Sequence, residues 1–140
     1  MKVEYIEGTL KSFANPNKSL KFVNQINITF EKDDISDIIL DYLGRNGYLD
    51  DIFNTKIKFK YRKICVYKNY HKFVKDDIIK QTGTKISIPK SKLGEILLKF
   101  ISDHKETYIR NDVIIPNTIG NIAIDKNNKT VKLYIYLSMK

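Results

Sequence analysis

Residues 28–43 (ITFEKDDISDIILDYL) change their hydrophobic period in mid-stretch, and residues 86–101 (ISIPKSKLGEILLKFI) repeat the change 58 positions later. Leading into and through the start of the first stretch, Ile26, Ile28 and Phe30 alternate with polar residues, the period of a half-buried strand. From Ile35 the apolar residues fall at helical spacing: Ile35, Ile38, Ile39, Tyr42 and Leu43, with Ser36, Asp37 and Asp41 opposite. Asp33 is the expected N-cap, Asp34 and Asp37 suit the positive helix start, and Gly44 or Gly47 ends the run. In the second stretch Ile86 aligns with Ile28, Ser91 with Asp33 and Leu93 with Ile35, and the apolar helical positions follow in register. Each stretch therefore predicts a strand that feeds an amphipathic helix. Two such units of about 20–70 and 78–138 are consistent with internal pseudo-duplication, and also with two unrelated strand–helix units of similar patterning.

Working outward, residues 3–13 and 20–30 alternate on either side of a turn cluster at 14–18, which predicts a hairpin with a bulge near residues 23–25. At the other end, 119–125 and 130–138 predict a second hairpin across 125–129, with Val131, Leu133 and Ile135 facing Ile122 and Ile124. Residues 107–115 read as extended. Residues 73–81 fit a helical turn or a strand, and Thr82-Gly83 reads as a breaker. The expectation is a single α+β domain over 1–140: a mostly antiparallel sheet of six to eight strands, with two main helices on one face. A chain of 140 residues is long enough to bury one good core.

Residues 52–75 carry the strongest charge signal. They hold eight Lys/Arg and no Asp or Glu, directly after a segment (31–51) with seven acids and two bases. Ile57, Phe59 and Tyr61 are expected to point inward, with Lys56, Lys58, Lys60 and Arg62 outward; a turn or bulge is expected at Arg62-Lys63. The candidate nucleic-acid-binding residues are Lys56, Lys58, Lys60, Arg62, Lys63, Tyr67, Lys68, Tyr70 and Lys72, since cations neutralise phosphates and flat rings stack on bases. An ordinary solvated strand face in a Lys-rich chain fits the same pattern. Lys132, Tyr134 and Tyr136 form a second candidate patch, or else an aromatic face covered by another element. The acidic helix would either turn away from a polyanion or pair with the basic strand.

The net charge of +9 favours polyanionic partners, although the 22 Lys, 22 Ile and 12 Asn also point to an AT-rich coding sequence. Only three residues are Arg, which argues against recognition by bidentate forks. One cysteine excludes a disulfide framework. His71, His104 and Cys65 lack metal-ligand spacing, and no nucleophile–base pair or phosphate loop occurs, so neither a catalytic site, a metal nor a cofactor is expected. Asp37 and Asp41 are paired carboxylates one helical turn apart, with solvation as the default. No apolar run suits a membrane span and no signal peptide is recognisable, so a cytoplasmic protein, or one of an infected host's cytoplasm, is expected. The first functional expectation is a non-enzymatic binder of nucleic acid or nucleoprotein from a phage or other mobile element. The alternative is a protein-binding inhibitor of a host factor such as a defence nuclease.

Overall fold

A computed structural model describes the backbone of residues 1–11, 19–49, 55–75 and 78–137, and the side chains of these outside 10–20 and 68–84. Strand β1 (Lys2–Lys11) pairs antiparallel with β2 (Ser19–Phe30). The pairing steps from Ile6↔Gln25 to Glu7↔Val23, so Asn24 is the extra residue of the expected bulge. The turn cluster at 14–18 lies outside the described residues. Helix α1 (Lys32–Arg45) follows, and buries Ile35, Ile38, Ile39 and Leu43 as their spacing requires.

Its cap corrects the expectation. Glu31, not Asp33, is the N-cap, and its N–H donates to Asp34 Oδ2 at 2.9 Å. Asp33 instead sits in the first turn, where its charge favours the helix dipole. Past the helix end Gly47 takes φ +76, a left-handed conformation that glycine adopts without a Cβ penalty.

The basic stretch forms β3 (Thr55–Phe59) and β4 (Lys63–Lys75), followed by β5 (Ile78–Pro89). The ambiguous segment near 73–81 is therefore strand on both sides, with residues 76–77 outside the description. Thr82-Gly83 does not break the chain but lies inside β5. The pairing jumps there from Lys68↔Thr84 to His71↔Thr82, so Gly83 faces a bulge in β4.

Helix α2 (Lys90–Asp103) buries Leu93, Ile96, Leu97 and Ile101, the register expected from α1. Both ends of α2 are displaced from those of α1 by 58 positions. Pro89, rather than Ser91, is the N-cap; it fits because the cap needs extended backbone and supplies no N–H. The sheet positions differ between the two units, since β2 lies inside its sheet and β5 at an edge.

Residues 107–115 are not a strand. A short helix α3 (Lys105–Tyr108) is followed by a turn in which Arg110 clasps Asp112 through Nη2–Oδ2 at 2.7 Å and Nε–Oδ1 at 3.1 Å. Ile109 and Val113 reach the core from this irregular segment, and Tyr5 Oη accepts the Arg110 N–H at 3.0 Å. Their β-branched character was satisfied by burial instead of pairing. The final hairpin, β6 (Asn121–Asp125) and β7 (Thr130–Tyr136), is as expected.

Among the described residues the strands form two antiparallel sheets, β1-β2-β7-β6 and β3-β4-β5, not the single sheet expected. Helix α1 packs on β2 and β7, α2 on β4, β5 and β6, and the helices touch each other. One core joins them: Ile26, Ile28, Phe30 and Leu133 from the first sheet, Ile64, Val66 and Ile88 from the second, with the helical residues between. Each fully buried aliphatic side chain contributes about 1.5–3 kcal/mol against exposure. Both sheets thus turn their outer faces away from the helices. No helix among the described residues is long and apolar enough to cross a membrane.

Candidate nucleic-acid interface

The side-chain alternation of β3 is as expected through Phe59, with Lys56 exposed and Phe59 buried. Lys58 is half-buried, because its stem lies along the sheet and its ammonium sits 5.3 Å from the Tyr67 ring centroid. Register explains the contact. Lys56 pairs with Tyr67, Lys58 with Cys65, and on the far side Tyr67 pairs with Lys85 and Cys65 with Ser87. Lys56, Lys58, Lys63, Tyr67 and Lys85 therefore share the outer face, while Ile57, Phe59, Ile64, Val66, Ile86 and Ile88 share the inner one. Cys65, paired with Lys58 and Ser87, falls on the outer side yet is fully buried beneath its larger neighbours, with its Sγ 4.0 Å from Ser87 Oγ.

Beyond Phe59 the strand reading fails, and for a clear reason. The Lys60 N–H donates to the Lys63 carbonyl at 2.9 Å, closing a turn over Lys60, Tyr61 and Arg62. Tyr61, expected to face inward, is 68% exposed at the tip of that turn. Arg62 Cζ lies 5.9 Å from its ring centroid and Lys90 Nζ 5.5 Å. Lys60 and Arg62 thus belong to the turn and do not extend the row of Lys56 and Lys58. The Lys90 N–H donates to the Arg62 carbonyl at 3.3 Å and ties the turn to the start of α2.

Strands β3, β4 and β5 and the turn at 60–62 contain no Asp or Glu. Among the described residues no salt bridge involves Lys58, Lys60, Arg62, Lys63, Lys85 or Lys90. Crowded like charges cost stability, and the strands themselves supply no acid to offset them. The expected contributors Lys68, Tyr70 and Lys72 lie on β4, but their side chains fall outside the described residues. Lys85 and Lys90 were missed; the pairing of Tyr67 with Lys85 brings in the first, and the turn contact the second.

The acidic helix faces elsewhere. Asp34, Asp37 and Asp41 line a groove of about 610 Å³ between α1 and α2, with Ile38, Ile96, Tyr42, Phe100 and His104 among its other walls. Three of its carboxylates are paired: Asp34 with the Met1 ammonium at 3.0 Å, Asp41 with Arg45 at 3.1 Å and Asp103 with Lys99 at 3.7 Å. Lys92 spans the helices; hydrogen bonds with Tyr42 and then Glu95 raise its pKa above the usual lysine value. Asp34, Asp37 and Asp41 of α1 thus line the helix groove, and among the described residues none makes a salt bridge with a cation of the basic sheet.

The second candidate patch is not covered by a helix. Lys132, Tyr134 and Tyr136 lie on the outer face of β7, and Tyr136 is 55% exposed. Lys132 Nζ sits 5.4 Å from the Tyr134 ring centroid.

Comparison with known proteins adds no identity: no family model, curated protein or solved structure matches this chain.

Proposed function

We propose that this protein is a non-enzymatic binder of nucleic acid or of a nucleoprotein complex, acting through the outer face of the β3-β4-β5 sheet. The observation that supports the reading is an outer face of lysines with no carboxylate on any of its strands. Such a surface attracts a phosphate backbone and gains affinity by releasing its counterions. Tyr61 at the turn and Tyr67 on the face, each beside a cation, offer rings on which bases of a single strand stack. Lysines act on phosphate as point charges, and with only three arginines in the chain, binding should discriminate little between sequences. The composition fits a phage or other mobile element, with action in the cytoplasm of a cell or an infected host.

Titration of labelled single- and double-stranded oligonucleotides at several salt concentrations tests the proposal. Affinity should fall steeply with salt, with a slope that reports several neutralised phosphates. No shift of any oligonucleotide at low salt would end it.

The groove between α1 and α2 favours a second reading, a protein-binding inhibitor of a host factor such as a defence nuclease. Asp37 and Asp41 on its wall would meet a basic surface that normally contacts nucleic acid. Here a partner retained from nuclease-treated lysate should be lost on changing Asp37 and Asp41 to Asn, and not on changing the sheet lysines.

A further inference from the structure

Strand β7 lies in the interior of a four-stranded antiparallel sheet whose other face is sealed by α1 and α2. On its open face Tyr134 and Tyr136 stand two residues apart, the spacing that puts both rings on one side of a strand. Tyr136 is held in place. A Cβ on Gly120 would fall onto its ring, so the ring lies against bare backbone with its other side open, at 55% exposure. The Gly120 N–H donates to the Tyr134 carbonyl at 2.8 Å and fixes that backbone beside the strand. Residues with amide side chains lie opposite both rings in the register: Gln25 across from Tyr136, and Asn27 and Asn121 across from Tyr134. Lys132 completes the row, with its ammonium 5.4 Å from the Tyr134 ring.

We infer that this open face of the β1-β2-β7-β6 sheet is a second nucleic-acid site, which takes unstacked bases of a single strand on Tyr134 and Tyr136. The choice of ligand rests on the function proposed above, but the site and its chemistry are distinct. A pre-held aromatic ring loses little entropy on stacking, and every base presents a flat face to it. Asn27 is buried and its Oδ1 accepts Gln25 Nε2 at 2.7 Å, and Asn121 Oδ1 accepts the Ile122 N–H at 2.8 Å. The Oε1 of half-buried Gln25 and the Nδ2 of exposed Asn121 are therefore the amide groups left to meet the edges of unpaired bases. The charge also fits: Lys132 stands where the phosphate of a stacked nucleotide would pass, and the Glu4 carboxylate on β1 is 3.8 Å from Lys2. The basic sheet would then hold the backbone while this sheet holds bases. A duplex, whose bases are already stacked, would engage only the first.

A short single strand with an uncharged methylphosphonate backbone separates the two sheets. It should bind with little salt dependence, shift the amide resonances of β7, and lose about tenfold or more in affinity with Tyr136→Ala or with both tyrosines changed. Tyr136→Phe should retain binding, and Gly120→Ala, which displaces the ring without removing it, should weaken it. Melting curves confirm that each variant is folded. Lys58→Gln with Arg62→Gln should weaken an ordinary phosphate strand and leave the uncharged one unaffected. Absence of uncharged-strand binding, or its indifference to Tyr136→Ala, would overturn this site even if the phosphate strand still bound through the basic sheet. Loss of only the phosphate-strand effect would instead count against the basic sheet. Capture of a folded protein by this face, with no response to either strand, would also overturn the inference.

Discussion

The N–H of Lys90, the first residue of α2, donates to the carbonyl of Arg62 at 3.3 Å, which docks the β3–β4 turn against the start of a helix. Cations from two distant parts of the sequence are thereby fixed around one exposed ring, Tyr61. The turn is held by backbone, so its side chains are free to change.

Replacing Lys56, Lys58, Lys60 and Arg62 together with Gln should lower the melting temperature only slightly, since Lys56, Lys60 and Arg62 are exposed and Gln keeps much of the half-buried Lys58 stem. Affinity for a phosphate strand at low salt should fall by orders of magnitude, and the salt slope should flatten by about three to four. Fluorescence anisotropy across a salt series measures both. Unaltered binding would make the basic sheet ordinary solvated surface.

Tyr61 and Tyr67 should separate in a binding and melting experiment. Tyr61→Ala removes a ring that lies mostly in solvent, so stability should change by less than about 0.5 kcal/mol while single-strand affinity falls about tenfold. Tyr67→Ala should lower the melting temperature as well, because that half-buried ring lies on the sheet beside the Lys58 stem. Duplex affinity should respond to neither ring as strongly as single-strand affinity.

Ile39→Asp and Leu97→Asp each place a carboxylate where the side chain is wholly excluded from solvent. Each should cost several kcal/mol, a large part of the roughly 5–15 kcal/mol that holds a domain together. Chemical denaturation reads the loss directly. Folded, fully soluble protein from either variant would contradict the shared core beneath both helices.

The helices were legible because a 3.6-residue period leaves a local signature: Ile35, Ile38, Ile39 and Leu43 are all buried, as are Leu93, Ile96, Leu97 and Ile101. The last hairpin was legible for the same reason at period two, and the polar Asn24-Gln25 pair in the alternating strand pointed to the bulge. Partnership between strands is non-local, so the split into two sheets left no mark in the sequence. Tyr61 misled because Ile57, Phe59 and Tyr61 keep perfect alternation while the chain has already turned at Lys60. Ile109 and Val113 misled in another way, since burial alone satisfies a β-branched residue whether or not its backbone pairs. Of the candidate site, the lysines of β3 were legible from alternation. Lys85 and Lys90 required the register and the turn contact that only the folded chain supplies.

The β6–β7 turn provides a pH test. Asp125 Oδ1 accepts the N–H groups of Asn127 and Asn128 at 3.0 Å each, and Oδ2 accepts Asn128 Nδ2 at 2.8 Å. The backbone and then the side-chain hydrogen bonds of Asn128 hold its pKa below the usual carboxylate value. A carboxyl with a depressed pKa in the folded state contributes stability above its unfolded pKa, about 3.9, and loses it as pH falls through the folded value. Asp125→Asn keeps the shape but removes the charge, so the variant should melt below the natural protein at neutral pH. That gap should narrow as pH falls below about 4, because the unfolded carboxyl is protonated first and the folded one follows at its lower pKa. Comparing the two proteins at each pH cancels the other carboxylates that titrate in the same range. Lys129, at φ 56, closes the same turn in a conformation unfavourable to a residue with a Cβ, so the hairpin depends on the Asp125 contacts to hold it. A gap that stayed constant from neutral to acid pH would rule out the carboxylate charge as its source, and no gap at all would assign the turn's stability to its backbone.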